Sequence, residues 1–149
     1  MKILLAVDGS EFSQAATQAI VARMRAESAE VLVLRVVEPR IYSIAPQIAA
    51  GYALEQDKIL KEDFQHAQES VNEASQALRS AGFSVTTRVI ESEARTGILD
   101  IAAEWRADLI VLGSHGRKGL RRFLLGSIAE SVARHSQCSV LVVRIPPQQ

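Results

Sequence analysis

The chain has 149 residues, 48% of them apolar, and its 17 basic and 17 acidic side chains balance to zero formal charge. That length suits one domain, 1–149, with a substantial buried core, and the composition is that of a soluble globular protein. Zero net charge excludes a global attraction to nucleic acid or to an anionic membrane, so neither is expected as a partner. The single cysteine, Cys138, forms no intramolecular disulfide, which fits a reducing, cytoplasmic setting. It lies beside Val140–Val143 and reads as a small core residue rather than a redox thiol. Ile3–Val7 is too short for a secretory leader, and no apolar run reaches the length of a bilayer span.

In chain order, Lys2–Val7 predicts the first strand. Ala16, Ile20 and Met24, spaced by four, mark the first helix. Val31–Val37 predicts a second strand, followed by an irregular stretch, Pro39–Gln56, long enough to fold over a ligand or to be a plain surface loop. Leu60, Phe64, Ala67, Val71, Ala74 and Leu78 form the stripe of a long helix that Gly82 ends. Phe83–Val89 alternates and reads as an edge strand, whereas the other apolar runs are nearly continuous, as strands covered on both faces are. Ile98, Ile101, Ala102 and Trp105 define a third helix, with Trp105 as a core anchor rather than a stacking platform. Leu109–Leu112 predicts a strand, Ile128–Arg134 a helix, and Val140–Val143 the last strand. This alternation implies right-handed crossovers and a doubly wound parallel α/β sheet of five strands.

In such a sheet, ligands bind beyond the carboxyl ends of the strands, where the strand order reverses. Three loops there carry polar groups: Asp8-Gly9-Ser10, Val37-Glu38, and the glycine-rich stretch Gly113-x2-Gly116-x9-Gly126-Ser127. Glycines let backbone approach an anion and adopt positive φ, and the following helix start offers N–H groups to phosphate. Ser127 reads either as a phosphate contact or as an N-cap completing a capping box with Glu130. Asp8 reads as a ligand group, accepting from a ribose hydroxyl or supporting a metal through water, because Ser10 and Ser13 are available to cap the first helix. Among Arg117, Lys118, Arg121 and Arg122, Arg117 is the best phosphate candidate; the others fit a solvated surface. His115 is a candidate general base without a partner at motif spacing, while His66 and His135 fall in helices and face solvent. No set of protein ligands for a metal is apparent. Walker A spacing is absent, and the turn after the first strand holds only Gly9 where a dinucleotide fingerprint needs three glycines. Glu38, ending the second strand, keeps a ribose-binding acid in play.

The stretches Ile3–Ser10, Leu34–Val37, Ala107–Gly116, Gly126-Ser127 and Cys138–Arg144 together resemble the universal stress protein family, and specifically its ATP-binding members. That resemblance implies strand order 3-2-1-4-5. It implies ATP held by Ala6, Val7, Asp8 and Leu112 at the nucleoside and Val37 backbone at adenine. Gly113, Gly116, Gly126, Ser127, Ile128 and Ala129 would hold the phosphates, with Arg117 beside them and Mg2+ or Mn2+ carried on the phosphates. It also implies a homodimer through the fifth strand, Val140, Leu141, Val142 and Val143, whose edge would otherwise stay open. The family commonly has Gly-x-Pro where this chain has Ser92-Glu93-Ala94, which leaves the shape of that loop open. The expected function is a nucleotide-responsive dimeric module without an assembled catalytic set. The alternatives are a slow ATPase or autophosphorylating protein, with Ser127 as acceptor and Asp8 or His115 assisting, and, more remotely, a receiver phosphorylated at Asp8.

Overall fold

The computed structural model describes residues 1–40, 49–117 and 124–146. Strands β1 (Lys2–Ala6), β2 (Glu30–Val37), β3 (Ser84–Glu91), β4 (Leu109–Gly113) and β5 (Ser139–Val143) alternate with helices α1 (Glu11–Arg23), α2 (Ala49–Ser80), α3 (Ala94–Trp105) and α4 (Ser127–His135). The strands form one parallel sheet in the order β3-β2-β1-β4-β5. β1 pairs with β2 on one side and β4 on the other, so the order reverses between β1 and β4.

Successive residues of a strand face opposite sides, and each side here has its own core. Ile3, Leu5, Val31, Val33 and Val111 pack with Ala16, Ile20, Val71 and Leu78 of α1 and α2. Leu4, Leu32, Leu34, Ile110 and Leu112 pack with Ile98, Ile101, Ala102 and Val132 of α3 and α4. Coverage on both faces is why the central strands carry unbroken apolar runs. β3, at the edge, is largely exposed, in keeping with its alternating sequence. Trp105 packs against the α3/α4 core with the Lys2 ammonium 5.1 Å from its ring centre, and half-buried Cys138 joins the same core.

Local signals set the boundaries. Ser10 caps α1, its hydroxyl accepting from the Ser13 amide at 3.2 Å. α2 ends where Gly82 turns at φ +90, a conformation glycine adopts without a Cβ clash, and the Phe83 amide bonds back to the Leu78 carbonyl. Two expectations are corrected. α2 is already helical from Ala49, so the irregular connection is shorter than Pro39–Gln56; residues 41–48 lie outside the described residues. The buried stripe of α2 runs through Ala67, Val71, Ala74 and Leu78, whereas Leu60 is exposed because that part of α2 extends past the sheet's packed face.

Candidate functional site

At the reversal between β1 and β4, the chain leaves β1 as Val7-Asp8 and turns at Gly9, φ +78, into α1. Asp8 does not cap α1. Its Oδ1 accepts the Ser10 amide at 2.9 Å, and its Oδ2 accepts the Arg117 amide at 3.0 Å. The carboxylate therefore ties the turn after β1 to the glycine-rich turn after β4, across 109 residues of chain.

The glycines of that turn serve different purposes, and none of Gly113, Gly116 and Gly126 uses positive φ, contrary to expectation. A Cβ on Gly113 would lie 2.6 Å from Phe12 Cβ and 2.7 and 2.8 Å from its backbone C and O. Gly113 is thus what lets α1 sit against β4. A Cβ on Gly126 would lie 2.9 Å from the Ser114 carbonyl, to which the Gly126 amide donates at 2.8 Å. That contact draws the strand end and the start of α4 together. Gly116 has more room, its nearest neighbour being Asp8 Oδ2 at 3.1 Å.

Ser127 is not the N-cap of α4. Gly126 holds that place and no side chain caps the helix; Glu130 pairs with Arg134 at 2.8 Å instead of closing a capping box. The first helical amides, those of Ser127, Ile128 and Ala129, belong to the group a helix cannot satisfy internally. They border the space above β4, an arrangement suited to an anion. Every residue assigned to ATP from the sequence lines one cleft of about 1120 Å3: Ala6, Val7, Asp8 and Val37 on one side, Leu112, Gly113, Gly116, Arg117, Gly126, Ser127, Ile128 and Ala129 on the other. Lys118, Arg121 and Arg122 lie outside the described residues.

Other expectations divide. The Val37 carbonyl accepts the Ser92 amide at 3.0 Å, and Glu38 Oε1 accepts the Ala94 amide at 3.1 Å. Glu38 borders the cleft, and its Oε1 also holds the start of α3. This bond also accounts for Ser92-Glu93-Ala94: a proline at position 94 would have no amide to donate. Glu93 caps α3, and its bonds to Thr96 hold its carboxyl below the ordinary range. His135 faces solvent; His66 is exposed but stands at the outer wall of the cleft.

His115 packs its ring 5.2 Å from that of Phe12, and its Nδ1 lies 3.0 Å from the hydroxyl of buried Ser114. Among the described residues, His115 Nε2 and Arg35 Nε are the buried side-chain nitrogens without a hydrogen-bond partner, and both residues line this cleft. Arg35 had no role in the sequence reading. The signal was present, since one arginine interrupts the otherwise apolar run Val31–Val37. Burial pushes its pKa down, and the Asp8 carboxylate opposes that shift.

The family model of the universal stress proteins matches residues 1–144. The chain belongs to the universal stress protein family. A universal stress protein of Synechocystis is 36% identical over 152 aligned positions, which cover 96% of this chain and 97% of the relative. The solved universal stress protein UspA from Lactobacillus plantarum is 27% identical, with a TM-score of 0.83 over 97% of both chains. Another solved universal stress protein, in complex with cAMP, is 25% identical with a TM-score of 0.64, covering 97% of this chain and 96% of its own. Family membership sets aside a receiver domain, which would leave the glycine-rich turn unexplained. Among the described residues of this universal stress protein, no helix is long and apolar enough to cross a membrane. Nor does any group of three or more His, Cys, Asp or Glu among them stand close enough to hold a metal ion.

Proposed function

We propose that this universal stress protein binds ATP in the cleft between the ends of β1 and β4, as a nucleotide-responsive module of the stress response and not as an efficient enzyme. The observation that carries the reading is the convergence of the Asp8 turn, the glycine-rich turn and the uncapped start of α4 on one cleft. A relative of the same fold bound to cAMP supports an adenine nucleotide as the ligand class. The α4 amides and Ser127 face the phosphates, and the strand ends Ala6–Asp8 and Val37 face the nucleoside. Mg2+ or Mn2+ comes with the phosphate oxygens, whose charge it offsets, and the protein contributes no ligand cluster of its own. The working unit is a cytoplasmic homodimer joined at β5, an edge strand paired through one side to β4.

Mass analysis of nucleotide released on denaturing the purified protein tests the ligand. Labelled ATP then separates a module from chemistry. Stoichiometric retention without ADP is expected. Transfer of label that disappears in Ser127→Ala would instead establish phosphorylation, the γ-phosphoryl bonding to Ser127 Oγ, ADP leaving, and the hydroxyl proton passing to Asp8 or His115. Sedimentation at the monomer mass of 16.3 kDa would refute the dimer.

A further inference from the structure

Arg35 sits two residues before Val37 on β2. The period of two points its side chain to the α1/α2 side, the side on which Val33 is buried. Nη1 makes a long contact, 3.4 Å, with the Val7 carbonyl, and Nε is buried with no acceptor among the described residues. A guanidinium donor taken from water and left unmatched is unfavourable until something completes it. Since the group carries donors and no acceptor, whatever completes it must accept.

We propose that Arg35 contacts the nucleoside of the bound nucleotide, donating to a neutral acceptor on its base or sugar, and is not a phosphate contact. This rests on the adenine-nucleotide reading above. Position argues for it: Arg35 lies between the strand ends Val7 and Val37, whereas the amides suited to phosphate are at Ser127–Ala129 on α4. Charge argues for it as well. The carboxylates of Asp8, Asp63 and Glu38 and the cation of Arg117 act on Arg35, and Arg40, which also lines the cleft, pairs with Asp63 at 2.9 Å. A phosphate brought to Arg35 would meet the carboxylates of Asp8 and Glu38, while a ring nitrogen or sugar oxygen would not be repelled. An arginine in a nucleotide cleft is ordinarily assigned to phosphate; here the surrounding charges favour the neutral end of the ligand.

The test is to titrate wild type and Arg35→Gln with adenosine, AMP and ATP, following adenosine by competition. The contact is to the part all three share, so Arg35→Gln is expected to weaken each by the same factor, about ten- to a hundredfold. A loss confined to AMP and ATP, or no loss at all, overturns the proposal. A second measurement starts on wild type, where one analogue must lose affinity however the variant folds. Adenosine analogues each lacking one acceptor (deaza bases, deoxy sugars, the carbocyclic sugar) are compared on both proteins. One analogue should lose affinity for wild type and lose nothing further on Arg35→Gln; if none does, the contact is not there. Failure of wild type to bind ATP, AMP and adenosine alike would sink the adenine-nucleotide reading, and this contact with it.

Discussion

Gly113 and Gly116 belong to one glycine motif, yet the structure assigns them different work, and a pair of alanine variants separates it. In Gly113→Ala the new methyl would meet Phe12 backbone at 2.7 and 2.8 Å, which no side-chain rotation relieves, so α1 must shift off β4. Overpacking of this kind costs about 1–3 kcal/mol. Loss of glycine's freedom in the unfolded chain returns about 0.4–1 kcal/mol, because position 113 is not held at positive φ. The two ranges differ by about 0–2.6 kcal/mol, and their midpoint of about 1.3 kcal/mol corresponds to a fall in Tm of about 3–5 °C for a chain of this size. In Gly116→Ala the neighbour is the Asp8 carboxylate at 3.1 Å, which has only to give by a few tenths of an ångström. Its crowding and its gain in the unfolded state nearly cancel, leaving ligand-free stability within about 0.5 kcal/mol of wild type. Its effect should appear instead in the nucleotide-induced rise in Tm, which for wild type at a hundred times Kd corresponds to about 2.7 kcal/mol. Differential scanning calorimetry with and without ATP reads both. A Gly113→Ala protein that melts with wild type would refute the packing argument, and equal losses in the two variants would refute the division of labour.

Three further outcomes are expected. Asp8→Ala removes the acceptor of the Ser10 and Arg117 amides; hydrogen exchange at Arg117 should quicken while α3 amides are unchanged, and unchanged exchange at Arg117 would show that the tie is not holding the turn. Gly126→Ala places a methyl 2.9 Å from the Ser114 carbonyl, so it should lower both Tm and nucleotide affinity; unaltered affinity would mean that the meeting of strand end and helix start is not needed for the cradle. Glu93 has a depressed carboxyl pKa, chiefly from its Thr96 bonds, so its support of α3 is complete above the ordinary value of 4.5 and fades as pH falls through the lower folded value. Exchange at the Thr96 amide, corrected for intrinsic rate, should therefore rise on the acid side of that window, and Glu93→Gln should abolish the dependence.

Much of the site was legible because parallel α/β architecture is written in local pattern. Continuous runs such as Leu109–Leu112 give buried strands, and the turns after them are where a ligand can reach backbone. The residues placed at ATP by resemblance accordingly fall on one cleft. What went unread depends on partners distant in sequence. Ser127 and Glu130 carry the spacing of a capping box, but the Gly126 amide's bond to Ser114 makes Gly126 the cap and moves Ser127 into the first helical turn. Glu38 reads as a ribose acid in the sequence, which does not show that it also holds the Ala94 amide, 56 residues away.

The amino-acid sequence by itself determined the order of elements, the covered and edge strands, the family and the cleft's glycine-rich turn, because those follow from periodicity and spacing along one stretch of chain. Only the tertiary structure decided what each group in the cleft is still available to do. Hydrogen bonds and space are shared out across the fold: Asp8 accepts two amides, Gly113 makes room for Phe12, and Glu38 holds an amide of α3. Arg35, the one charge in the run Val31–Val37, lines the cleft and was left with a buried donor that has no partner among the described residues.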